Sequence, residues 1–216
     1  YMKIPNKKNS RKQGIIEIYG IHAVRAAIKN NRRKHKKLII SENLKNFITP
    51  EIRENITELK QLSNKEMFKQ YGAESNHQGI ILLTSALSQP SLDEILNKSK
   101  DKKVEVVVML DHVTDPNNIG SIMRSSSLFN CKSIIVAKDN SPDITPSMTK
   151  AASGSLEMVN YIKVINLSST IQKFKKNNFW VYGFDSNNTK KNKNLDIPKK
   201  VLLIFGSEGK GLRALT

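Results

Sequence analysis

From Val104 onward the chain repeats one pattern: a short apolar run, a turn, and a stretch with helical spacing. Val104–Leu110 is almost continuous in Val, Met and Leu, and Ser133–Ala137, Val159–Val164, Trp180–Phe184 and Val201–Phe205 have the same character. Runs without polar alternation belong to strands buried on both faces. Strands that alternate with helices, here expected over about Ile119–Asn130 and Ser168–Asn177, build a parallel α/β sheet. Ligands of such sheets bind outside the carboxyl ends of the strands. The segments that follow Leu110 and Phe205 are therefore the places to look for chemistry.

Residues 14–85 read as a separate, smaller α/β domain. Apolar residues at Ile21, Val24 and Ile28 have helical spacing, and Leu38-Ile39-Ile40 and Ile80-Ile81-Leu82-Leu83 look like strands. The polar stretch Ile52–Tyr71 is expected to be helical and to end near Gly72. Residues 86–103, with Pro90 and several lysines, are expected to be a linker holding a short helix over Leu92–Leu96. The second domain then runs over 104–216. Within it, Thr145–Gly154 reads as a helix rich in small residues, suited to close packing.

Thirty-six basic against 19 acidic side chains give a net charge of +17 in 216 residues. Residues 1–37 hold twelve of the basic groups and only one acid, Glu17. Such a balance predicts a polyanionic partner. The tail 1–13, with Lys3, Lys7, Lys8, Arg11 and Lys12, is either a solvated segment or an arm that neutralises phosphates with steep salt dependence. No apolar run approaches the length of a membrane span and no signal-peptide core follows Met2, so a cytoplasmic protein is expected. A lone cysteine, Cys131, excludes an internal disulfide, and with four scattered histidines it makes no metal site; a small buried side chain is its expected role.

After the first strand of the second domain comes Asp111-His112-Val113-Thr114-Asp115-Pro116-Asn117-Asn118-Ile119-Gly120, leading to Arg124. After the last comes Gly206-Ser207-Glu208-Gly209-Lys210-Gly211-Leu212. The glycine-rich segment is not a phosphate-binding P-loop, because Leu212 rather than Lys follows Gly211, and the dinucleotide spacing is absent. It remains a turn where backbone can approach a flat ligand.

The set Asp115-Pro116-x-Asn118-x-Gly120-x-x-x-Arg124 and Phe205-Gly206-x-Glu208-Gly209-x-Gly211 resembles the first two motifs of the SpoU (TrmH) family. These are RNA ribose 2′-O-methyltransferases of the SPOUT class. Tyr19–Val24 and His77–Ile80 resemble the L30e-like RNA-binding domain that precedes the catalytic domain in the RlmB-like branch. The resemblance implies a knotted α/β methyltransferase domain, S-adenosylmethionine as methyl donor, and a homodimer. Its implied substrate is a guanosine of large-subunit (23S) rRNA. A tRNA substrate, or a non-catalytic RNA-binding or ribosome-assembly role on the same fold, are the alternatives. The family's third motif, a Ser-Leu-Asn segment on the knot-forming C-terminal helix, does not occur by Thr216. The expectation is that this 216-residue chain binds the donor more weakly than one carrying that segment.

By the resemblance, Arg124, Asn118 and Glu208 are catalytic, and Gly183, Phe184, Gly206 and Gly209 bind the methyl donor. Each has a plainer reading. Arg124 lies opposite the apolar stripe of Ile119, Ile122, Met123, Ser126 and Phe129, where an arginine is ordinarily just solvated. Asn118 suits a helix N-cap, and Glu208 a turn-stabilising carboxylate. His22 and His77 have no nucleophile or carboxylate at useful spacing and read as structural or RNA-facing. Trp180 reads as core rather than as a base-stacking platform.

Overall fold

A computed structural model describes residues 14–72, 77–184, 198–207 and 211–213. The basic stretch 1–13, Glu208 and Gly209 lie outside the described residues, as does the knot-forming segment expected from the resemblance. Contacts divide the chain into two units. One contains the chain up to Ser88 together with Ile144–Glu157, the other Gln89–Asp143 and the chain from Met158.

In the first unit, β1 (Ile15–Tyr19), α1 (Ile21–Ile28), β2 (His35–Ser41), a 3₁₀ turn, α2 (Pro50–Glu54), β3 (Ile56–Leu62), α3 (Asn64–Tyr71) and β4 (Ile80–Ser85) follow in order. The sheet order is β1-β4-β2-β3, with β2 and β3 parallel and the other pairs antiparallel. The helical spacing of α1 is realised: Ala23, Val24, Ala27 and Ile28 are buried with Ile18, Leu38, Ile40, Ile80 and Leu82.

The stretch 52–71 is not one helix. Its middle is β3, an edge strand whose Thr57, Glu58 and Gln61 are exposed. Ile56, Leu59 and Leu62 are spaced three apart, which imitates a helix, and the polar edge offers no apolar run to betray a strand. The stop before α3 is nonetheless written locally. Ser63 accepts from the Glu66 amide while the Glu66 carboxylate takes the Ser63 amide, a reciprocal capping box. Positions 91 and 94 repeat it ahead of the next helix.

The second unit carries α4 (Leu92–Lys100), β5 (Glu105–Leu110), α5 (Pro116–Leu128), β6 (Ser133–Ala137), β7 (Asn160–Val164), α7 (Leu167–Lys176), β8 (Trp180–Phe184) and β9 (Lys200–Phe205). Every strand pair is parallel, in the order β7-β6-β5-β9-β8. All five strands stand within one residue of the predicted bounds, because each is an apolar run between breakers. The segment 86–103 is more than a linker. Ile95 and Leu96 of α4 enter the main core with Val107, Met109, Ile135, Ile162, Phe174 and Leu202.

Two apolar assignments are corrected. Trp180 is 63% exposed, since it opens the edge strand β8. Phe129 is 80% exposed: it is the C-cap residue of α5, outside the buried stripe of Ile119, Gly120, Met123 and Ser126. Cys131 is buried, and burial pushes its thiol pKa up, which keeps it in the unreactive thiol form.

Between β6 and β7 lies α6 (Pro146–Ala152), followed by a 3₁₀ turn, Ser155–Glu157; both belong to the first unit. The small residues there do serve close packing. A Cβ on Gly154, whose φ is +97°, would stand 2.8 Å from the Ala26 methyl of α1. Glu157 is the anchor. Its carboxylate accepts from Arg33 Nε (2.8 Å) and Nη2 (2.9 Å) and from Asn30 Nδ2 (2.6 Å). Arg33 Nη1 also donates to the Ser85 carbonyl at 2.6 Å. Arg33, one of the twelve N-terminal cations, is thus a buried structural ion rather than part of a polyanion-binding surface.

Candidate active site at the carboxyl end of the parallel sheet

In chain order, β5 is followed outward by β6 and β7 on one side, while β9 and β8 lie on the other. The direction of winding reverses between β5 and β9, and sheets of this kind take their ligands at the strand ends beside such a switch point. Leu110 pairs with Phe205 there, so the two motif-bearing segments leave the sheet side by side.

The junction is tied by Asp111, whose side chain is fully buried. Its amide donates to the Phe205 carbonyl at 2.9 Å. Its carboxylate accepts from Arg213 Nε at 2.7 Å and from the Arg213 amide at 3.1 Å. Neither residue was singled out by motif or spacing. The available signal was a carboxylate directly ending an apolar strand, since a charge in that position needs a partner. Next to it, His112 takes a left-handed backbone (φ 60°), which turns the chain off the strand.

The cap of α5 is Asp115, not Asn118. Asp115 Oδ1 accepts from the Asn117 amide at 2.9 Å, and Pro116 fills the first helical position, where no N–H is needed. Asn118 is the third residue of the helix and half-buried. Arg124 lies eight residues after Pro116, about 12 Å along the axis at the usual rise. Its side chain is exposed and forms no ion pair with a described residue.

Gly183, Phe184 and Gly206 come together on the adjacent ends of β8 and β9. Gly183 pairs with Ile204 and Phe184 with Phe205, and the two phenyl rings stack with centroids 4.7 Å apart. Phe184 is 51% exposed. The glycines serve the chain's own turn first. Ser207 and Gly211 bridge each other, and a Cβ on Gly206 would overlap the Gly211 carbonyl and the Leu212 amide. Among the described residues a Cβ on Gly183 would meet only the tip of Leu212, at 2.7 Å. Two strand ends stripped of side chains, with Phe184 and Leu212 beside them, form an uncharged ledge of backbone and apolar surface. That chemistry fits the adenosyl part of S-adenosylmethionine.

These contacts predict unequal tolerance. Gly206→Ala must displace backbone and with it the 211–213 turn that carries Arg213. We expect it to destabilise the second unit by about 1–3 kcal/mol and to abolish donor binding. Gly183→Ala needs only a rotamer change at Leu212 and should keep both within a few-fold. Thermal denaturation and calorimetric titration of the two variants check this.

His22 and His77 belong to the first unit. His22 is exposed on α1. His77 Nδ1 accepts from the Gly79 amide at 2.9 Å, and its ring meets Tyr19 and Tyr71 edge-on. Burial, and then the Lys150 charge, lower its pKa, so it is held neutral as a structural acceptor. Among the described residues no group of three or more His, Cys, Asp or Glu could hold a metal ion. No described helix is long and apolar enough to cross a membrane.

Comparison with known proteins agrees with the motifs. Residues 105–216 match the SpoU rRNA Methylase family, and residues 18–90 match the RNA 2′-O ribose methyltransferase substrate binding domain. A Staphylococcus aureus protein assigned to the TrmH family of tRNA/rRNA methyltransferases is 34% identical over 92% of this chain and 81% of its own length. The 23S rRNA (guanosine-2′-O-)-methyltransferase RlmB of Pseudomonas syringae is 30% identical over 93% of this chain and 81% of its own. In fold, the chain is similar to the SpoU methyltransferase AviRb of Streptomyces viridochromogenes, solved in complex with the cofactor AdoMet. The TM-score is 0.71 at 19% identity, over 97% of this chain and 79% of that one. The chain belongs to the SpoU rRNA methylase family of S-adenosylmethionine-dependent RNA methyltransferases.

Proposed function

We propose that this protein methylates the ribose 2′-hydroxyl of a guanosine in 23S rRNA, working as a homodimer in the bacterial cytoplasm. The observation that carries the reading is the switch point between β5 and β9, where both motif-bearing segments leave the sheet together. The similarity to RlmB across nearly the whole chain supports the target.

In this reading Gly183, Phe184, Gly206 and Gly209 hold the donor at the strand ends. When bound, S-adenosylmethionine supplies a sulfonium-activated methyl group, so alignment and charge stabilisation are most of what the chain must add. Arg124 is the group for the second task. A guanidinium holds its proton too tightly to serve as a base, so it acts as a permanent cation. As a fixed cation it holds the neighbouring phosphate and stabilises the alkoxide that develops on the 2′-oxygen. The proton then leaves toward solvent or that phosphate. By the family pattern Asn118 shapes the catalytic loop, and Glu208 orients the substrate loop and Arg124.

Mapping ribose methylation on total RNA from cells with and without the gene tests the assignment. One 23S guanosine is expected to lose its methyl group. Loss confined to a tRNA would move the substrate, consistent with the broader naming of the Staphylococcus relative. No change in any RNA would replace the enzyme by a binding protein on the same fold.

A further inference from the structure

At one end of the first unit's sheet lies a cleft of about 510 Å³. It is lined by Ile28 at the end of α1, Asn31 and Lys34 from the turn after it, His35 opening β2, Asn55 closing α2, and Thr57 on β3, with Arg33 also bordering it. Among the described residues no carboxylate lines it. Arg33 is committed to Glu157 and the Ser85 carbonyl. Asn55 donates to Glu51 and the Thr57 hydroxyl to the His35 carbonyl. Lys34 and Asn31 are different. Both are exposed, and neither side chain is held by a hydrogen bond or ion pair to a described residue, although the Lys34 backbone is fixed on both sides, by Ser85 Oγ and Thr84 Oγ1. A rigid backbone thus presents one ammonium and one amide over a concave floor of neutral polar groups. Burial lowers the His35 pKa, so the imidazole adds polarity to that floor without charge.

The topology gathers more charge at the same end. Ile15 pairs with Ser85 and Thr84 with His35, and the Ala86 amide donates to the Gly14 carbonyl at 2.6 Å. Gly14, where the described chain begins, is therefore tied beside the strand end that borders the cleft. Lys29, Arg32 and Lys36 flank it in sequence and are exposed.

We propose that this cleft is a contact site for the ribose-phosphate backbone of the RNA substrate, with Lys34 meeting a phosphate and Asn31 the adjoining sugar or phosphate oxygen. The inference rests on the RNA-substrate reading above and adds where, on the first unit, that substrate is gripped. Cations and neutral donors without base-shaped apolar walls position RNA without reading its sequence. Removing the charge should therefore weaken all RNA alike.

The test is filter binding of the full chain to a 23S rRNA transcript and to unmodified tRNA, across salt. Lys34→Gln with Asn31→Ala is expected to lower affinity about tenfold and to make the slope of log affinity against log salt shallower by about 1. Lys34→Glu alone should do the same or more, while donor binding by calorimetry and the melting temperature stay unchanged. Unaltered affinity and slope in both variants would overturn the inference. The readout is separate from catalysis. Methylation by the wild type with unchanged variant binding would sink the cleft alone, and altered binding without any methylation would sink the enzyme reading alone.

Discussion

Replacing Arg124 by alanine will lower single-turnover methyl transfer by ~10²-fold or more, with donor affinity and melting temperature unchanged. The expectation combines two facts. The guanidinium is exposed and off the buried stripe of α5, so its loss removes no packing. Preorganised charge facing a developing oxyanion is worth about 3–4 kcal/mol in comparable sites. Arg124→Lys keeps the charge and loses the planar fork, so partial activity should return if charge is the larger part of the role. The pH profile separates the two chemistries. A cation that only stabilises leaves the neutral-to-alkaline limb of the wild type in place when reduced to lysine. A base would move it. Near-normal transfer by Arg124→Ala would remove the residue from the site.

Glu157→Ala will be the most damaging single change in the first unit. The Arg33 side chain is fully buried, and without Glu157 it would stay as an unpaired cation. Removing one partner of a buried ion pair costs about 3–5 kcal/mol. Against a whole-domain stability of about 5–15 kcal/mol, that is a large share. Calorimetry should show the lower-melting transition fall by roughly 15 °C or more. Arg33→Met combined with Glu157→Leu exchanges the pair for apolar volume and should recover most of the loss. Equal damage from the single and double changes would mean that the hydrogen bond from Asn30 to the Glu157 carboxylate, not the charge pair, holds this turn.

Much of the second unit was legible because its strands are buried on both faces. Val107, Met109, Ile135 and Leu202 leave no ambiguity of period, and their bounds follow from the breakers around them. The strand-end position of the candidate site followed from the same pattern. What escaped was polar and long-range. The strand β3 sits at an edge with its apolar residues three apart, so it imitates a helix. The Asp111–Arg213 pair joins positions 102 residues apart, and no local window contains both. Asn118 is a plausible cap, yet Asp115 takes the role because the proline at 116 fixes the first turn three residues earlier. Arg33 sat inside a run of cations whose composition pointed outward. Only the fold shows that one of them turns in to meet Glu157.

That meeting gives the chain an order of assembly. The first unit draws residues from both sides of β5 and β6, so it is not a contiguous piece of polypeptide. During synthesis the ribosome must deliver Glu157 before Arg33 can be neutralised and α1 covered by the turn at Gly154. Until then the earlier segment can form its sheet but carries a raw charge and an open helix face, a state suited to chaperone capture or aggregation. A fragment ending near residue 103 should behave as that nascent form does, melting broadly and exposing apolar surface. Adding the 144–157 segment in trans should sharpen its transition. The pieces of this protein that fold together are therefore not the pieces that a cut at the linker would release.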